Sequence, residues 1–170
     1  RVGIRQLDVY EDLARAGAIT LLKEEMTVSE TDLGVWLLME GAEPIRSPDD
    51  VKWWHDRGVR IVGLTWSRGT TYAGGNACTH GLTDAGRDLI AALDDHRIVH
   101  DLSHCSDQAV EDLFGIATGP IVATHSNSRT VLGSDKQRHL RDDHALELFA
   151  RGGVVGLNLY GAFLANNRRA

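Results

Sequence analysis

The chain has 170 residues, of which 42% are hydrophobic and 25% are charged, and its net charge is −6 at pH 7. This composition is typical of a globular domain, and the absence of a basic patch excludes nucleic acid as the expected partner, so we expect a small-molecule substrate. No apolar run reaches the roughly 18 residues of a membrane span, and Cys78 and Cys105 do not make a disulfide framework, so we expect one domain over residues 1–170 in a reducing, cytoplasmic compartment.

Short apolar runs alternate with amphipathic segments along the chain, which predicts strands followed by helices. A helix is predicted over 4–25 and a polar loop over 27–33. Five strands are predicted at 35–39, 59–66, 97–104, 120–125 and 154–160. Four later helices are predicted at 47–58, 83–96, 106–117 and 142–152, because each begins with a capping residue or acidic residues. A glycine-rich loop over 67–81 and a polar loop over 126–138 complete the pattern.

The predicted strands are continuous runs of Val, Ile and Leu, which indicates a parallel sheet covered on both faces. Right-handed βαβ units produce either a doubly wound sheet or a barrel. Because polar residues end several successive strands rather than one switch point, we favour an α/β fold of the (β/α)8 TIM-barrel type. A complete barrel needs roughly 250 residues, so this chain is expected to cover about the middle five β/α units.

Three apolar runs end in residues that can bind a metal ion: Glu40, His104 and His125. Neighbouring strand ends meet at one rim of a barrel, and imidazole and carboxylate groups are zinc ligands. Individually, such residues are more often hydrogen-bonded structural groups or salt-bridge partners, but three at successive strand ends favour a metal site. Cys105 directly follows His104; if the strand continues, it points to the opposite face, and we expect a buried thiol.

Six ordered motifs between about Glu40 and Tyr160 resemble the membrane dipeptidase family, the renal-dipeptidase-like zinc peptidases of the amidohydrolase superfamily. The motifs are Met39-Glu40-Gly41, Gly63-Leu64-Thr65-Trp66, Gly81-Leu82-Thr83-Asp84-Ala85-Gly86, Asp101-Leu102-Ser103-His104, Thr124-His125-Ser126-Asn127 and Arg138-His139-Leu140-Arg141-Asp142. The resemblance covers most of this chain but only the middle of a family member, and it implies that the chain is an internal fragment.

The resemblance also implies a role for each matching residue. Glu40 matches the carboxylate that bridges two zinc ions, while His104 and His125 match the imidazole ligands of one of them. Arg138 matches the arginine that holds the carboxylate of the substrate. The implied reaction is hydrolysis of a dipeptide by a metal-bridged hydroxide.

The chain departs from the family pattern at Trp66, where many members have a histidine that assists the scissile carbonyl. Indole has one N–H donor and does not titrate, so we expect Trp66 to be a buried residue that walls the substrate pocket. Two alternatives are that Trp66 redirects the site toward N-acyl or D-amino-acid derivatives, and that His80 replaces the missing histidine instead of being solvated.

Two further elements of the family pattern are missing from the sequence. No His-x-Asp pair precedes Glu40, and the proton-handling aspartate of the last strand is expected beyond Ala170. We therefore assign no catalytic residue and expect an incomplete active site; a truncated, non-catalytic fragment is the alternative. A partial barrel has two open sheet edges, so we expect this segment alone to aggregate or form homo-oligomers.

Polar and aromatic residues away from this rim are expected to be structural. We predict that His100 is a core residue or one that supports a metal ligand from behind, and that His144 lies on the surface. Asp94 is expected to be a helix-end or solvated group rather than a metal ligand. Trp53 and Trp54 are expected to pack their helix against the barrel.

Overall fold

The computed structural model describes residues 2–22 and 29–164, and strands alternate with helices between residues 37 and 132, as expected for a βα fold. The helices are α1 Val2–Arg15, α2 Val51–Asp56, α3 Asp84–Asp95, α4 Asp107–Ile116, α5 Arg129–Leu132, α6 Asp142–Ala150 and α7 Gly161–Leu164, with a 3-10 turn at Pro48–Asp50. The strands are β1 Thr20–Leu21, β2 Gly34–Val35, β3 Leu37–Glu40, β4 Val59–Gly63, β5 Val99–Asp101 and β6 Ile121–Val122.

The main sheet contains β3, β4, β5 and β6 in chain order, and every pair is parallel. This order, with helices between successive strands, is that of consecutive βαβ units in part of a (β/α)8 barrel. The predicted strand at 154–160 is wrong as a regular strand. Only Val155 makes a parallel bridge, to Ala123, supported by the 2.8 Å hydrogen bond from Gly156 N to Ala123 O. The neighbouring β6 is only two residues long, so it offers little ladder for a fifth strand.

The first helix ends earlier than the predicted residue 25. Gly17 adopts φ +73°, and Ala18 N donates a 3.0 Å hydrogen bond to Leu13 O. A left-handed glycine with this bond is a common helix end, and β1 follows. The predicted helical residues 23–25 lie outside the described residues. The predicted strand at 35–39 is divided at the exposed Trp36, because β2 pairs with β1 whereas β3 pairs with β4.

Side-chain caps fix the start of the two helices that flank β5. Thr83 Oγ1 accepts a 3.0 Å hydrogen bond from Gly86 N at the start of α3, and Ser106 Oγ accepts a 3.1 Å bond from Ala109 N at the start of α4. Both predicted starts are therefore confirmed. The predicted polar loop at 126–138 contains the short helix α5, which Ser128 caps.

The apolar core lies between the helices and the main sheet. Side chains that are at most 2% exposed fill it: Val62, Leu64, Leu89, Ile90, Leu93, Ile98, Leu102 and Leu113. At the two edges of the sheet, apolar groups are exposed, including Leu38 on β3 and Leu157 and Leu159 after β6. Oligomer formation through these edges stays a prediction. No helix in residues 2–22 or 29–164 is both long and apolar enough to cross a membrane.

Several side chains correct the sequence expectations. His144 is buried, not on the surface, because α6 turns it toward Phe114. Trp54 packs in the core, but Trp53 is 43% exposed.

Near the amino end of β5 lies a group of four residues that we call the Asp94 cluster: Asp94, His100, Thr118 and Gly119. His100 is fully buried, as predicted, and its Nε2 lies 2.6 Å from Asp94 Oδ1. Asp94 was expected to be a helix-end or a solvated group; it lies in the last turn of α3, which confirms the first interpretation, but it is not solvated. Its side chain is 12% exposed and also accepts hydrogen bonds from Thr118 and Gly119.

Candidate metal centre

The structure brings Glu40, His104 and His125 together at the carboxyl ends of three parallel strands. Glu40 ends β3, His104 follows β5 and His125 follows β6. Glu40 Oε1 lies 3.0 Å from the Nε2 atom of each histidine, and the three donor atoms all lie within 4.8 Å of one another. One nitrogen from each imidazole and one carboxylate oxygen thus face a common point where a metal ion could bind.

His104 reaches this point from a tight turn. Its φ is +70°, in the left-handed region that costs a non-glycine residue roughly 1–3 kcal/mol. Two hydrogen bonds fix the turn: Cys105 N donates to Leu102 O at 3.0 Å, and Thr65 Oγ1 donates to His104 O at 3.0 Å. A strained backbone that is held in this way is typical of functional positions.

The turn also determines where Cys105 lies. The predicted strand at 97–104 ends at Asp101, so side-chain alternation along a strand does not apply to the following residues. Cys105 is nevertheless buried, as expected, and burial raises the pKa of its thiol to about 12. The thiol is therefore protonated at neutral pH and is not prepared to bind a metal ion.

Outer hydrogen bonds set the tautomer of both histidines. His104 Nδ1 donates to Asn76 Oδ1 at 2.9 Å. Thr124 Oγ1 donates to Asp101 Oδ2 at 2.5 Å, so it accepts from His125 Nδ1, 2.7 Å away. With the proton on Nδ1, each ring directs the lone pair of Nε2 toward Glu40. Two imidazole lone pairs and a carboxylate oxygen repel one another, so this arrangement fits a cation between them.

The outer residues Asn76, Asp101 and Thr124 have no role in the site predicted from the sequence. Asp101 and Thr124 belong to the motifs that contain the two histidines, so their position beside a candidate ligand could have indicated a supporting role. Asn76 lies in the glycine-rich loop, and no sequence pattern indicated that this loop reaches the site. A Cβ atom on Gly75 would lie 1.9 Å from Trp66 O, so glycine is needed where the loop folds back and presents Asn76.

The electrostatic environment of His104 keeps its imidazole neutral. Burial, followed by the positive charge of Arg138, lowers the pKa of His104 to about 4, although Glu40 opposes the shift. At neutral pH, His104 is consequently an uncharged imidazole, which is the form that binds metal ions.

Arg138 lies beside this group. Its Nη2 donates a 2.9 Å hydrogen bond to His125 O, and its guanidinium carbon is 5.6 Å from the ring centre of Phe163. The other terminal nitrogen, Nη1, is buried and has no hydrogen-bond partner among the described residues. A permanently charged guanidinium with a free donor next to the candidate metal site is suited to an anionic ligand.

Trp66 borders the same region but is not the buried residue that was expected. Its side chain is 57% exposed, and its ring centre lies 5.7 Å from that of His104. The difference arises because β4 ends at Gly63 and the indole extends from the loop beyond it. His80 is exposed, which agrees with a solvated side chain.

A parallel βα sheet with two imidazoles, a carboxylate and an arginine at its carboxyl-end rim is typical of TIM-barrel proteins, and the three donor groups form a candidate metal site there. A model of the membrane dipeptidase family, peptidase family M19, matches residues 2–170, and the chain belongs to this family. The resemblance found in the sequence motifs is therefore confirmed. Members of this family are metallopeptidases.

Individual relatives support the same assignment. An uncharacterized protein from the PQQ-III 3′ region of Acinetobacter calcoaceticus is 34% identical over 148 residues, which are 82% of this chain and 46% of that protein. A metallopeptidase from Rhodobacter sphaeroides, solved with a phosphinate mimic of the dipeptide L-Ala-D-Ala, has a TM-score of 0.83 and 29% identity. The match covers 99% of this chain and 52% of that structure.

A third relative is the M19 metallopeptidase dipeptidase AC, which has a TM-score of 0.71 and 33% identity. Here the match covers 81% of this chain and 43% of that structure. The chain thus spans about half the length of these relatives. The barrel-type fold is confirmed, and the described residues form part of the barrel without closing it.

Proposed function

We propose that the protein containing this chain is a zinc-dependent dipeptidase whose metal centre includes Glu40, His104 and His125. The observation that supports this proposal best is the 3.0 Å approach of Glu40 Oε1 to both Nε2 atoms. Membership of the membrane dipeptidase family gives independent support for a dipeptide as the substrate.

The donor set suits zinc, which binds imidazole nitrogen and carboxylate oxygen, usually with four ligands in a tetrahedral arrangement. Glu40 is 44% exposed, so its carboxylate can serve two ions, and we propose a pair with Glu40 as the bridge. When bound, zinc supplies Lewis acidity, which polarises carbonyl oxygens and makes water acidic enough to react near neutral pH. We assign no proton-transferring residue within the described part of the chain.

Arg138 is proposed to bind the C-terminal carboxylate of the dipeptide. Its unpaired Nη1 and fixed Nη2 provide the planar donor pair that a carboxylate recognises. Because Nη2 donates a hydrogen bond to His125 O, Arg138 is held next to the proposed metal centre. The distance between the Arg138 guanidinium and the metal would then limit the substrate to a short peptide.

The proposal is tested by His125→Ala in the full-length protein, with His96→Ala as a matched control outside the site. We expect His125→Ala to lose tight zinc binding, measured by metal analysis, and turnover of dipeptides. The control should keep both. Full zinc content and activity in His125→Ala would contradict the proposed metal centre.

A second candidate is an amidohydrolase that acts on D-configured or N-acylated substrates. Trp66 favours it, because an exposed indole beside His104 offers an apolar surface to an acyl group or side chain. The Rhodobacter sphaeroides relative bound to a mimic of L-Ala-D-Ala supports a D-residue at the C-terminal position. Comparing kcat/KM for L-Ala-L-Ala, L-Ala-D-Ala and N-acetyl-D-Ala would decide between the two candidates.

A further inference from the structure

Arg129, the first residue of α5, connects two separate parts of the chain through its guanidinium. Nη1 and Nη2 donate to the two carboxylate oxygens of Asp107 at 2.9 and 2.6 Å. Nε and Nη2 also donate to His139 O at 3.1 and 2.8 Å. The side chain is 14% exposed. One arginine therefore links the start of α4 to the residue that follows Arg138.

A second connection holds the residue that precedes Arg138. Gln137 Oε1 accepts a 2.8 Å hydrogen bond from Asp107 N, and Gln137 Nε2 donates to Cys78 O at 2.8 Å. Both neighbours of Arg138 are thus connected to Asp107. His139 is held by Arg129, which binds the Asp107 carboxylate, and Gln137 accepts directly from the Asp107 backbone N–H. Among the described residues, the Arg138 side chain itself donates one hydrogen bond, from Nη2 to His125 O.

The pair is charged and well matched in geometry. Hydrogen bonds from Arg129 hold the pKa of Asp107 below its usual 3.8, even though burial opposes the shift. The two parallel N–H···O bonds form a fork that lysine cannot reproduce while also reaching His139 O. Four of the five N–H groups of the Arg129 guanidinium donate to Asp107 and His139, and the side chain is 14% exposed, so Arg129 is held within the protein and does not present a donor pair to a carboxylate.

We propose that Asp107 and Arg129 form a positioning pair that holds Arg138 where it receives the C-terminal carboxylate of the substrate, an inference that rests on the proposed dipeptidase function. Arg129 acts through the backbone of His139, and its side chain forms no hydrogen bond or ion pair with Glu40, His104 or His125. Loss of the pair should therefore weaken carboxylate recognition while it leaves the metal centre assembled.

The test compares a dipeptide with its C-terminal carboxamide in the full-length, zinc-loaded protein. Arg129→Ala, Arg129→Lys and Asp107→Asn should raise KM for the dipeptide roughly 10- to 100-fold, because small displacements of an anchoring group have effects of this size. KM for the carboxamide should change less than about threefold, since it lacks the charge that Arg138 binds. Zinc content should not change. In an Arg138→Ala background, Arg129→Ala should have no further effect on the ratio of the two KM values.

The matched control is Arg15→Ala, which breaks the exposed pair of Arg15 with Asp12 on α1 and should leave both KM values unchanged. If Arg129→Ala does not fold, the nearly isosteric Asp107→Asn decides. Equal losses on both substrates would indicate a general structural role and overturn the positioning role, as would an unchanged KM ratio. A wild-type protein that does not distinguish dipeptide from carboxamide would overturn the proposed role of Arg138 and, with it, that of the pair.

Discussion

The two ends of the parallel sheet use histidine and carboxylate groups in opposite ways. At the carboxyl end, Glu40 is 44% exposed and faces two histidines whose Nδ1 protons are donated elsewhere. At the amino end, the Asp94 cluster is closed: Asp94 Oδ1 accepts from Gly119 N at 2.9 Å, and Oδ2 accepts from Thr118 N at 2.8 Å. The first group leaves binding capacity free, whereas the second uses it within the protein.

This difference agrees with the general division of barrel folds into a functional carboxyl-end face and a stabilising amino-end face. In the Asp94 cluster, His100 Nδ1 is buried and has no hydrogen-bond partner among the described residues. The neutral tautomer with a proton on Nε2, donated to Asp94, therefore fits the cluster. We expect substitutions at the rim to reduce activity and substitutions in the cluster to reduce stability.

The largest effect is predicted for Glu40→Gln. Removing the shared carboxylate charge should lower kcat/KM for a dipeptide roughly 10²- to 10³-fold, the loss that follows removal of a major electrostatic group from an active site. The free energy of unfolding of the metal-free protein should change by less than about 0.5 kcal/mol, because the side chain is partly exposed. Kinetics and urea titration measure the two quantities.

Exposed Glu43 supplies the control for this comparison, since Glu43→Gln makes the same chemical change close by in the chain. The control should change neither quantity. If Glu40→Gln destabilises the protein strongly while it keeps its activity, the proposed contrast between the two ends is wrong.

Asn76→Ala is predicted to have the next largest effect. It removes the acceptor of the His104 Nδ1 proton and allows the ring to rotate or change tautomer. Substituting such outer partners typically costs 10- to 100-fold in metal affinity, so we expect a rise of roughly this size in the zinc Kd. Competition with a chelator measures the affinity. An unchanged zinc Kd would show that Asn76 does not orient His104.

Asp94→Asn tests the other end of the sheet. Both carboxylate oxygens of Asp94 accept hydrogen bonds from Thr118, Gly119 and His100, whereas only the oxygen of an asparagine amide is an acceptor. In Asp94→Asn, at least one of these donors therefore loses its acceptor. We expect the free energy of unfolding to fall by about 1–3 kcal/mol while zinc affinity and kcat/KM are retained. Asp95→Asn, at the exposed neighbouring residue, is the control. Loss of zinc affinity in Asp94→Asn would contradict the separation of the two ends.

The sequence predicted the parts of the site that follow from strand order. Glu40, His104 and His125 each end an apolar run, and parallel strands in one sheet bring their carboxyl ends to one rim. It did not predict the left-handed turn at His104, because the apolar run indicated a strand up to residue 104. The hydrogen bond from Thr65 that holds the turn comes from 39 positions earlier in the chain, and no local pattern contains it. Side-chain exposure was also hard to predict: Trp66 is exposed because its position depends on where β4 ends.

The role of Asp94 could not be predicted from its charge, since Asp94 and Asp95 look alike in the sequence. Helix α3 turns the first toward β5 and the second toward solvent. The residues Thr118 and Gly119, which bind Asp94, come from a loop more than 20 positions away. Burial of a helix-end carboxylate is a tertiary property that local patterns do not contain.

The smallest predicted effect is a pH dependence of stability that comes from the Asp94 cluster. Burial lowers the pKa of His100 below its usual 6.5, although Asp94 opposes the shift. Burial would raise the pKa of Asp94, but hydrogen bonds from Thr118 and His100 outweigh it and hold the pKa below the usual 3.8. In both cases the unfolded chain binds more protons over part of the acid range, so stability decreases as pH falls.

For His100, the loss begins as pH falls through about 6.5 and ends at the lower pKa of the folded state; for Asp94, it begins near 3.8. His100→Gln retains an N–H donor for Asp94 but cannot titrate. In the metal-free protein, the free energy of unfolding of wild type should therefore fall more between about pH 7 and pH 5 than that of His100→Gln. Urea titrations at the two pH values measure this pH dependence in each protein. Because His104 is present in both proteins, its contribution cancels when the two are compared. Equal slopes for the two proteins would mean that His100 keeps its ordinary pKa and that the cluster does not exclude the protonated imidazole.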